Sequence, residues 1–319
     1  QPDPRQRAAA WRIAVIGAGP AGLALALQAA QRLPQAEVTL FDARPADKDV
    51  SGDPRTLALA LGSVQWLRRL GAWPDAAAQP IREVLVSQAP PTLSLPWLPA
   101  EVTLRAADEQ VEMLGAVLSY GALVSSLQRA WQALERQAPH RLHSRFGQPV
   151  ADVRQCGDGR GTVEVDAGIA EHFDLAVVAE GGVFADQARK AVVNDYRQTA
   201  WVGTATLAGA RPGLAVERFT REGPLALLPL PPLPGTPDGT ARAALVWCVG
   251  SDDDPVAGLN EAQRVAVLNT LLPDAAGRVV GLSALKHFAL GLNAERTLVD
   301  GRIVRIGNAA QTLRPVAGQ

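Results

Sequence analysis

The sequence predicts an α/β fold in which a domain built on a parallel sheet carries an inserted domain built on an antiparallel sheet. Three observations predict it. A short strand, a glycine-rich turn and a helix follow one another in residues 11–33. Residues 199–249 contain several alternating or apolar runs separated by turn-forming residues, as an antiparallel sheet requires. Residues 302–306 form one more short strand, which we expect to return to the first domain.

The glycine-rich turn has the pattern G-x-G-x-x-G and directly follows the β-branched run of residues 12–16. The first glycine permits a tight turn, the second lets a pyrophosphate approach the backbone, and the third lets the helix pack closely on the strand. A proline occupies the first helical turn, where a missing N–H is tolerated, and the helix N-terminus faces the phosphates. The residues predicted to bind the cofactor here are Gly17, Gly19, Pro20, Ala21 and Gly22.

A second strand, residues 37–41, delivers an acidic residue to the same place. Asp42 follows Gly22 by twenty residues, and its carboxylate can accept both hydroxyls of an adenosine ribose. Arg44 comes two positions later. Strand, turn, helix, strand and acid coincide, so a glycine-tolerant loop without a ligand is the weaker interpretation. The unit predicts a cofactor that contains ADP and leaves FAD and NAD unresolved.

The composition excludes several classes of function. The 319 residues suffice for two domains, or for one large domain with an inserted layer. Because 31 basic residues are balanced by 32 acidic ones, we expect no nucleic-acid partner. Two distant cysteines and four histidines argue against a metal site or a disulfide framework, and we expect His140 and His143 to be solvated. The cytoplasm fits this cysteine usage best.

Two further segments are candidates for the site. Arg55 precedes residues 56–70, whose apolar positions recur at helical spacing, so we predict a helix there. Arg55 then faces a phosphate or the cofactor ring, or is a surface arginine that flanks a helix. Residues 161–166 and 172–179 are predicted to be paired strands. Glu180 follows the second of them, at a ligand-facing turn or an ordinary hairpin exit.

Four segments, which together span nearly the whole chain, resemble the class A flavoprotein monooxygenases with the p-hydroxybenzoate hydroxylase fold. They are the Gly17 motif with Asp42, residues 55–59, residues 217–230 and residues 307–319. The third segment is the most typical of the ubiquinone-biosynthesis hydroxylase branch. The resemblance implies a Rossmann-like FAD-binding domain with an inserted antiparallel-sheet substrate domain. We expect residues 1–78, 112–190 and 294–319 to form the first domain, and residues 79–111 and 191–293 the second.

The resemblance also implies an activity. Family members use FAD, NADPH or NADH, and molecular oxygen to hydroxylate an aromatic ring through a C4a-hydroperoxyflavin. The branch implies a phenolic, prenylated substrate that is similar to a ubiquinone precursor. The alternatives are a degenerate, flavin-binding or empty member that serves as an assembly subunit, and an NAD-dependent dehydrogenase. The catalytic residues, the phenol, the oligomeric state and any association with a membrane surface or partner enzymes stay open.

The last segment departs from the family pattern, which is G-D-A-A-H followed by H-P-x-A-G-Q-G. Asn308 stands in place of the acid, and Gln311 and Arg314 replace the two histidines. A hydrogen bond to a neutral acceptor is weaker than one to a charged acceptor. The sequence starts with Gln and has no element after residue 319, so we expect part of a longer polypeptide that holds flavin poorly. The resemblance implies further cofactor contacts at Glu180, Gly181, Gly307, Asn308, Pro315, Val316, Ala317 and Gly318.

Overall fold

The computed structural model describes residues 10–89, 101–157, 161–180, 192–295 and 297–313. The helices are α1 Pro20–Arg32, α2 Leu61–Arg69, α3 Tyr120–Gln137 and α4 Glu261–Leu271. Among these described helices, none is long and apolar enough to span a membrane. The strands are β1 Arg12–Ile16, β2 Glu37–Asp42, β3 Thr56–Ala60, β4 Gln79–Ile81, β5 Glu83–Gln88, β6 Glu101–Arg105, β7 Gly115–Ser119, β8 Leu142–Phe146, β9 Asp152–Gln155, β10 Val163–Asp166, β11 Ala170–Phe173, β12 Leu175–Val178, β13 Val192–Ala208, β14 Leu214–Phe219, β15 Pro224–Leu230, β16 Thr240–Gly250, β17 Arg278–Leu282, β18 Lys286–Ala294, β19 Val299–Asp300, β20 Ile303–Arg305 and β21 Gln311–Leu313.

A six-stranded sheet in the order β19-β20-β12-β1-β2-β8 carries the glycine motif. The strands from β20 to β8 are parallel to their neighbours, so their carboxyl ends meet at one edge. The late strand β20 therefore lies beside the early strands, next to β12. Leu23, Leu27 and Trp131 are fully buried in the core that α1 and α3 form on this sheet.

A nine-stranded sheet holds the second core. Its main path runs β21-β18-β13-β16-β15-β14-β5-β6, and β17 pairs with β13. The neighbours are antiparallel except for β14 and β5. Asn260 begins α4 with a capping box, and Leu268 of this helix packs against one face of the sheet. Two three-stranded sheets, β3-β7-β4 and β11-β10-β9, complete the arrangement.

Two predicted elements are corrected. The helix predicted for residues 56–70 is wrong over its first five residues, which form β3. Pairing of β3 with β7 supplies backbone hydrogen bonds that outweigh the helical spacing of the apolar residues. The strand predicted for residues 172–179 is two strands. Only β11 pairs with β10, whereas β12 joins the parallel sheet, and the Asp174 carboxylate between them accepts a 2.8 Å hydrogen bond from the Arg12 N–H.

The division into two domains stays a prediction. Strands β5, β6 and β13 to β18 share the nine-stranded sheet and fall within residues 79–111 and 191–293, except for the last residue of β18. In contrast, β4 starts at Gln79 and pairs with β7 of the predicted FAD-binding domain, and β21, which falls within residues 294–319 of that domain, pairs with β18 of the nine-stranded sheet. We propose the predicted boundaries, with β4 and β21 as the links between the two parts.

Candidate functional site

The candidate dinucleotide site lies where the parallel strands of the six-stranded sheet end. Hydrogen bonds hold these ends together, since the Gly17 N–H donates to the Phe41 carbonyl (2.8 Å) and the Ile306 N–H to the Val178 carbonyl (3.0 Å). Ligands of open α/β sheets bind at this edge. Four of the predicted segments meet here, and they begin at Gly17, Asp42, Glu180 and Gly307.

Two of the three motif glycines are required by the fold itself. Gly17 has a φ of +106°, and a Cβ on it would lie 2.9 Å from backbone atoms of Ala179 and Glu180. A Cβ on Gly22 would lie 1.8 Å from the carbonyl oxygen of Gly17. The turn and α1 therefore pack backbone against backbone, as the motif predicts.

Gly19 differs from the other two glycines. Its φ of −82° and ψ of −176° are extended, and among the described residues a Cβ would meet only the Tyr120 hydroxyl, at 3.5 Å. Pro20 begins α1, and no side chain in the described part of the chain caps this helix. First-turn N–H groups of an uncapped helix form an anion site, and the space above Gly19 lies directly over them.

Asp42 and Arg44 stand beside this turn. The Asp42 carboxylate accepts hydrogen bonds from the backbone N–H groups of Ala18 (2.5 Å) and Arg44 (2.7 Å). An ionised carboxylate accepts about four hydrogen bonds, so about two remain for ribose hydroxyls. The Arg44 guanidinium donates to Gln128 (3.1 Å), but its Nη2 is buried without an acceptor among the described residues. A buried unpaired donor costs about 1–3 kcal/mol, which favours a ligand that brings an acceptor.

In the described part of the chain, Arg55 is linked to the site through Tyr120, a residue that the sequence did not single out. The Arg55 guanidinium forms an ion pair with Asp53 (2.7 Å) and stacks 4.0 Å from the centre of the Tyr120 ring. Tyr120 is the first residue of α3, and its hydroxyl faces Gly19. Tyr120 lies beside Gly19 because the tertiary fold brings the start of α3 to the glycine-rich turn.

Glu180 and Gly307 complete the described part of the edge. Burial raises the pKa of Glu180 to about 7, and the negative charge of Asp42 adds to this rise. Gly307 has a φ of +59°, and a Cβ on it would lie 3.1 Å from the Ala21 Cβ, so the Gly307–Ala309 turn lies against the start of α1. Asn308 is exposed in this turn. Gly181, Pro315, Val316, Ala317 and Gly318 lie outside the described residues.

Because the pKa of Glu180 is raised to about 7, we expect FAD to bind more weakly at pH 8 than at pH 6. Below this pKa the carboxyl is neutral, whereas above it a second negative charge beside Asp42 opposes the pyrophosphate. One unit of pKa coupling to the ligand corresponds to about tenfold in affinity. The same sign applies to folding, because the stability that the neutral carboxyl contributes is lost as the pH rises through about 7.

Titration of FAD into the chain at pH 6, 7 and 8, followed by flavin fluorescence, measures this dependence. Glu180→Gln should remove most of it, and Glu222→Gln, at an exposed carboxylate between β14 and β15, should preserve it. An unchanged pH dependence in Glu180→Gln would show that another group is responsible.

A cluster of possible metal ligands also appears, which the sequence did not predict. Cys156, Glu164 and His172 bring their ligand atoms within 4.8 Å of one another. They lie on three adjacent strands or just beyond them, and their spacing of eight residues matches no ligand motif. Glu164 already forms an ion pair with Arg154, whose positive charge opposes a cation. We therefore assign no metal to this cluster.

Comparisons with known proteins agree with this geometry. Residues 15–53 match the family model of the NAD(P)-binding Rossmann-like domain. The chain is 28% identical over 317 residues to the ubiquinone hydroxylase UbiL of Rhodospirillum rubrum, and the match covers 96% of this chain and 68% of that protein.

Solved structures show a similar fold over nearly the whole chain. 2,6-Dihydroxypyridine-3-hydroxylase of Arthrobacter nicotinovorans superposes with a TM-score of 0.59 at 18% identity, over 95% of this chain and 78% of its own. p-Nitrophenol 4-monooxygenase PnpA of Pseudomonas putida superposes with a TM-score of 0.63 at 15% identity, over 96% of this chain and 74% of its own. PqsL of Pseudomonas aeruginosa superposes with a TM-score of 0.69 at 14% identity, over 97% of this chain and 81% of its own. The chain has the p-hydroxybenzoate hydroxylase-like fold. The predicted fold class and the resemblance to the flavoprotein hydroxylases are thus confirmed.

Proposed function

We propose that the chain is an FAD-dependent, NADPH- or NADH-using aromatic hydroxylase. The observation that carries this proposal is the edge of the parallel sheet, where the open space above Gly19, the Asp42 carboxylate and the unpaired Arg44 Nη2 come together. These groups fit the pyrophosphate and adenosine of FAD in their hydrogen-bonding chemistry. The relationship to a ubiquinone hydroxylase supports the choice of reaction.

Each residue of the site has a role in this proposal. Gly17, Gly19, Pro20, Ala21 and Gly22 bind the pyrophosphate, and Asp42 and Arg44 bind the adenosine. Arg55 and Glu180 set the charge around the cofactor. The contacts on the ring side come from Gly181, Gly307, Asn308, Pro315, Val316, Ala317 and Gly318.

An apolar cavity of about 260 Å³ suits the aromatic substrate. It lies between β3, β7 and the nine-stranded sheet, and Gly115 at the start of β7 contributes to its wall. The other end of β7 leads to Tyr120 beside Gly19. At about 3.4 Å per residue, the five residues of β7 span about 17 Å between cavity and turn.

The protein's contribution is to bind, to orient and to exclude water. FAD, reduced by NADPH or NADH, supplies the oxygen chemistry that ring hydroxylation needs. The apolar lining keeps water from the reacting ring and favours a substrate with apolar substituents. A phenol with a prenyl tail, similar to a ubiquinone precursor, fits this chemistry.

A non-catalytic assembly subunit is the second candidate. Asn308 and Gln311 stand where the family pattern has an acid and a histidine, and these substitutions favour it. One experiment separates the candidates. We expect purified chain supplied with FAD to oxidise NADPH faster when an alkylated phenol is added, and to form hydroxylated product. Bound flavin without phenol-dependent oxidation would favour the assembly subunit, and NADPH oxidation without flavin would favour a dehydrogenase.

A further inference from the structure

Glu217 is the one ionisable residue among the described residues that line the 260 Å³ cavity. The rest of the lining is glycine and apolar side chains, which include Ala58, Leu114 and Leu228. Glu217 lies in β14, opposite Ala226 of β15 and Val86 of β5. A single carboxyl group in an apolar cavity fixes the orientation of a ligand that can donate a hydrogen bond to it.

The alternation of β14 directs Glu217 toward this cavity. Leu214 and Val216 belong to the core beneath α4. Ala215 belongs instead to the cluster of Ile81 and Val117, on the side of β4 and β7. Side chains two residues apart in a strand share a face, so Glu217 lies on the same side as Ala215.

In the described parts of the chain, the Glu217 carboxyl has no hydrogen-bond or ion-pair partner. The side chains that face it from β5, β6 and β15 carry no charge, and they include Val84, Val86, Val102, Ala226 and Leu228. The nearby charges lie on the other face, where the Arg218 Nε donates to the Leu271 carbonyl (2.8 Å). Burial accordingly raises the pKa of Glu217. A half-buried carboxyl group without hydrogen-bond donors favours binding of a ligand that donates a hydrogen bond to it.

We propose that Glu217 binds the hydroxyl group of the substrate and selects uncharged phenols with apolar substituents. The assignment rests on the proposed hydroxylase function. The phenol O–H donates to a Glu217 carboxylate oxygen. As the ring is attacked, the O–H bond breaks, the proton passes to the carboxylate, and the phenol oxygen keeps the electron pair, which makes the ring more electron-rich. A phenol has a pKa of about 10, and burial raises the pKa of Glu217. The difference between the two pKa values is therefore smaller, and proton transfer from the phenol to Glu217 is less unfavourable. A ring that carries its own carboxylate is repelled.

Binding measurements on three ligands test this assignment. The probes are 4-hexylphenol, its methyl ether 4-hexylanisole, and 4-hydroxybenzoate, each titrated calorimetrically into the FAD-supplied chain. We expect the phenol to bind about tenfold or more tightly than the ether, since a hydrogen bond to a charged acceptor is involved. Glu217→Gln should reduce this preference to about threefold or less and should strengthen binding of 4-hydroxybenzoate. If Glu217 had only a structural role, its replacement would not weaken the preference for the phenol and at the same time strengthen binding of 4-hydroxybenzoate.

Glu222→Gln is the matched control, because Glu222 is an exposed carboxylate on the same hairpin. It should leave all three affinities unchanged. Thermal unfolding of Glu217→Gln should match the parent or exceed it, because the substitution removes an unpaired charge. Equal binding of phenol and ether by the parent, no binding of either, or an undiminished preference in Glu217→Gln would each overturn the assignment. Phenol-dependent NADPH oxidation that Glu217→Gln leaves intact would reject Glu217 alone, whereas selective binding without oxidation would reject the hydroxylase function alone.

Discussion

Replacing Gly19 by valine should strongly weaken FAD binding and leave the chain folded. The backbone of Gly19 is extended, a conformation that valine adopts readily, and among the described residues its added Cβ meets only the Tyr120 hydroxyl, at an ordinary 3.5 Å. The isopropyl group occupies the space over the start of α1 in which we place the pyrophosphate. Each lost hydrogen bond to a charged phosphate is worth about 1.5–3 kcal/mol, so the loss of two weakens binding by about 100-fold or more. Quenching of flavin fluorescence measures the dissociation constant.

Thermal unfolding of the FAD-free proteins checks that the fold survives. We expect Gly19→Val to lose about 1 kcal/mol at most, from the less favourable helix start. Gly258→Val is the matched control, because a Cβ at Gly258 meets nothing within 4 Å among the described residues, and it should retain FAD. If Gly19→Val bound FAD as tightly as the parent, the pyrophosphate would lie elsewhere and the proposed site would be wrong.

The part of the site that the sequence predicted depends on local chemistry. Gly17 needs a positive φ, Gly22 needs to be free of a side chain, and both requirements come from a single strand–turn–helix unit. Asp42 ends the next strand, which is parallel to β1, so its position follows from the same unit. The carboxyl edge of the sheet could be located for this reason without knowledge of the rest of the fold.

The part that the sequence missed depends on contacts between distant segments. Residues 56–60 form a strand because β7, more than fifty positions away, pairs with them. Tyr120 reaches Gly19 only because β7 delivers the start of α3 to the turn. The sequence places Glu217 in the segment of residues 217–230 but does not indicate its role, because the cavity around it combines β3, β4 and β7 with the nine-stranded sheet. The spacing of residues within one segment cannot predict these contacts between distant segments.

Replacing Gly22 by alanine should destabilise the fold by about 4 kcal/mol or more, even without a ligand. The new Cβ would lie 1.8 Å from the Gly17 carbonyl oxygen and 3.2 Å from the Ala179 Cβ. The nearest of these is a backbone atom, so relief requires α1 to move away from β1 and to loosen the fully buried Leu23 and Leu27. Overpacking against side chains costs about 1–3 kcal/mol, and a backbone clash this short exceeds that range. Urea unfolding followed by circular dichroism, without FAD, measures the loss.

Gly62→Ala is the matched control for this clash. Gly62 is also a helical glycine, in α2, but a Cβ there meets nothing within 4 Å among the described residues. Alanine at such a position should stabilise the chain by up to about 1 kcal/mol, because it restricts the unfolded backbone and favours the helix. The two substitutions add the same methyl group to a helix, so their opposite signs isolate the contact between α1 and the Gly17 turn. A Gly22→Ala variant that unfolds within about 1 kcal/mol of the parent would contradict the close packing of α1 on β1.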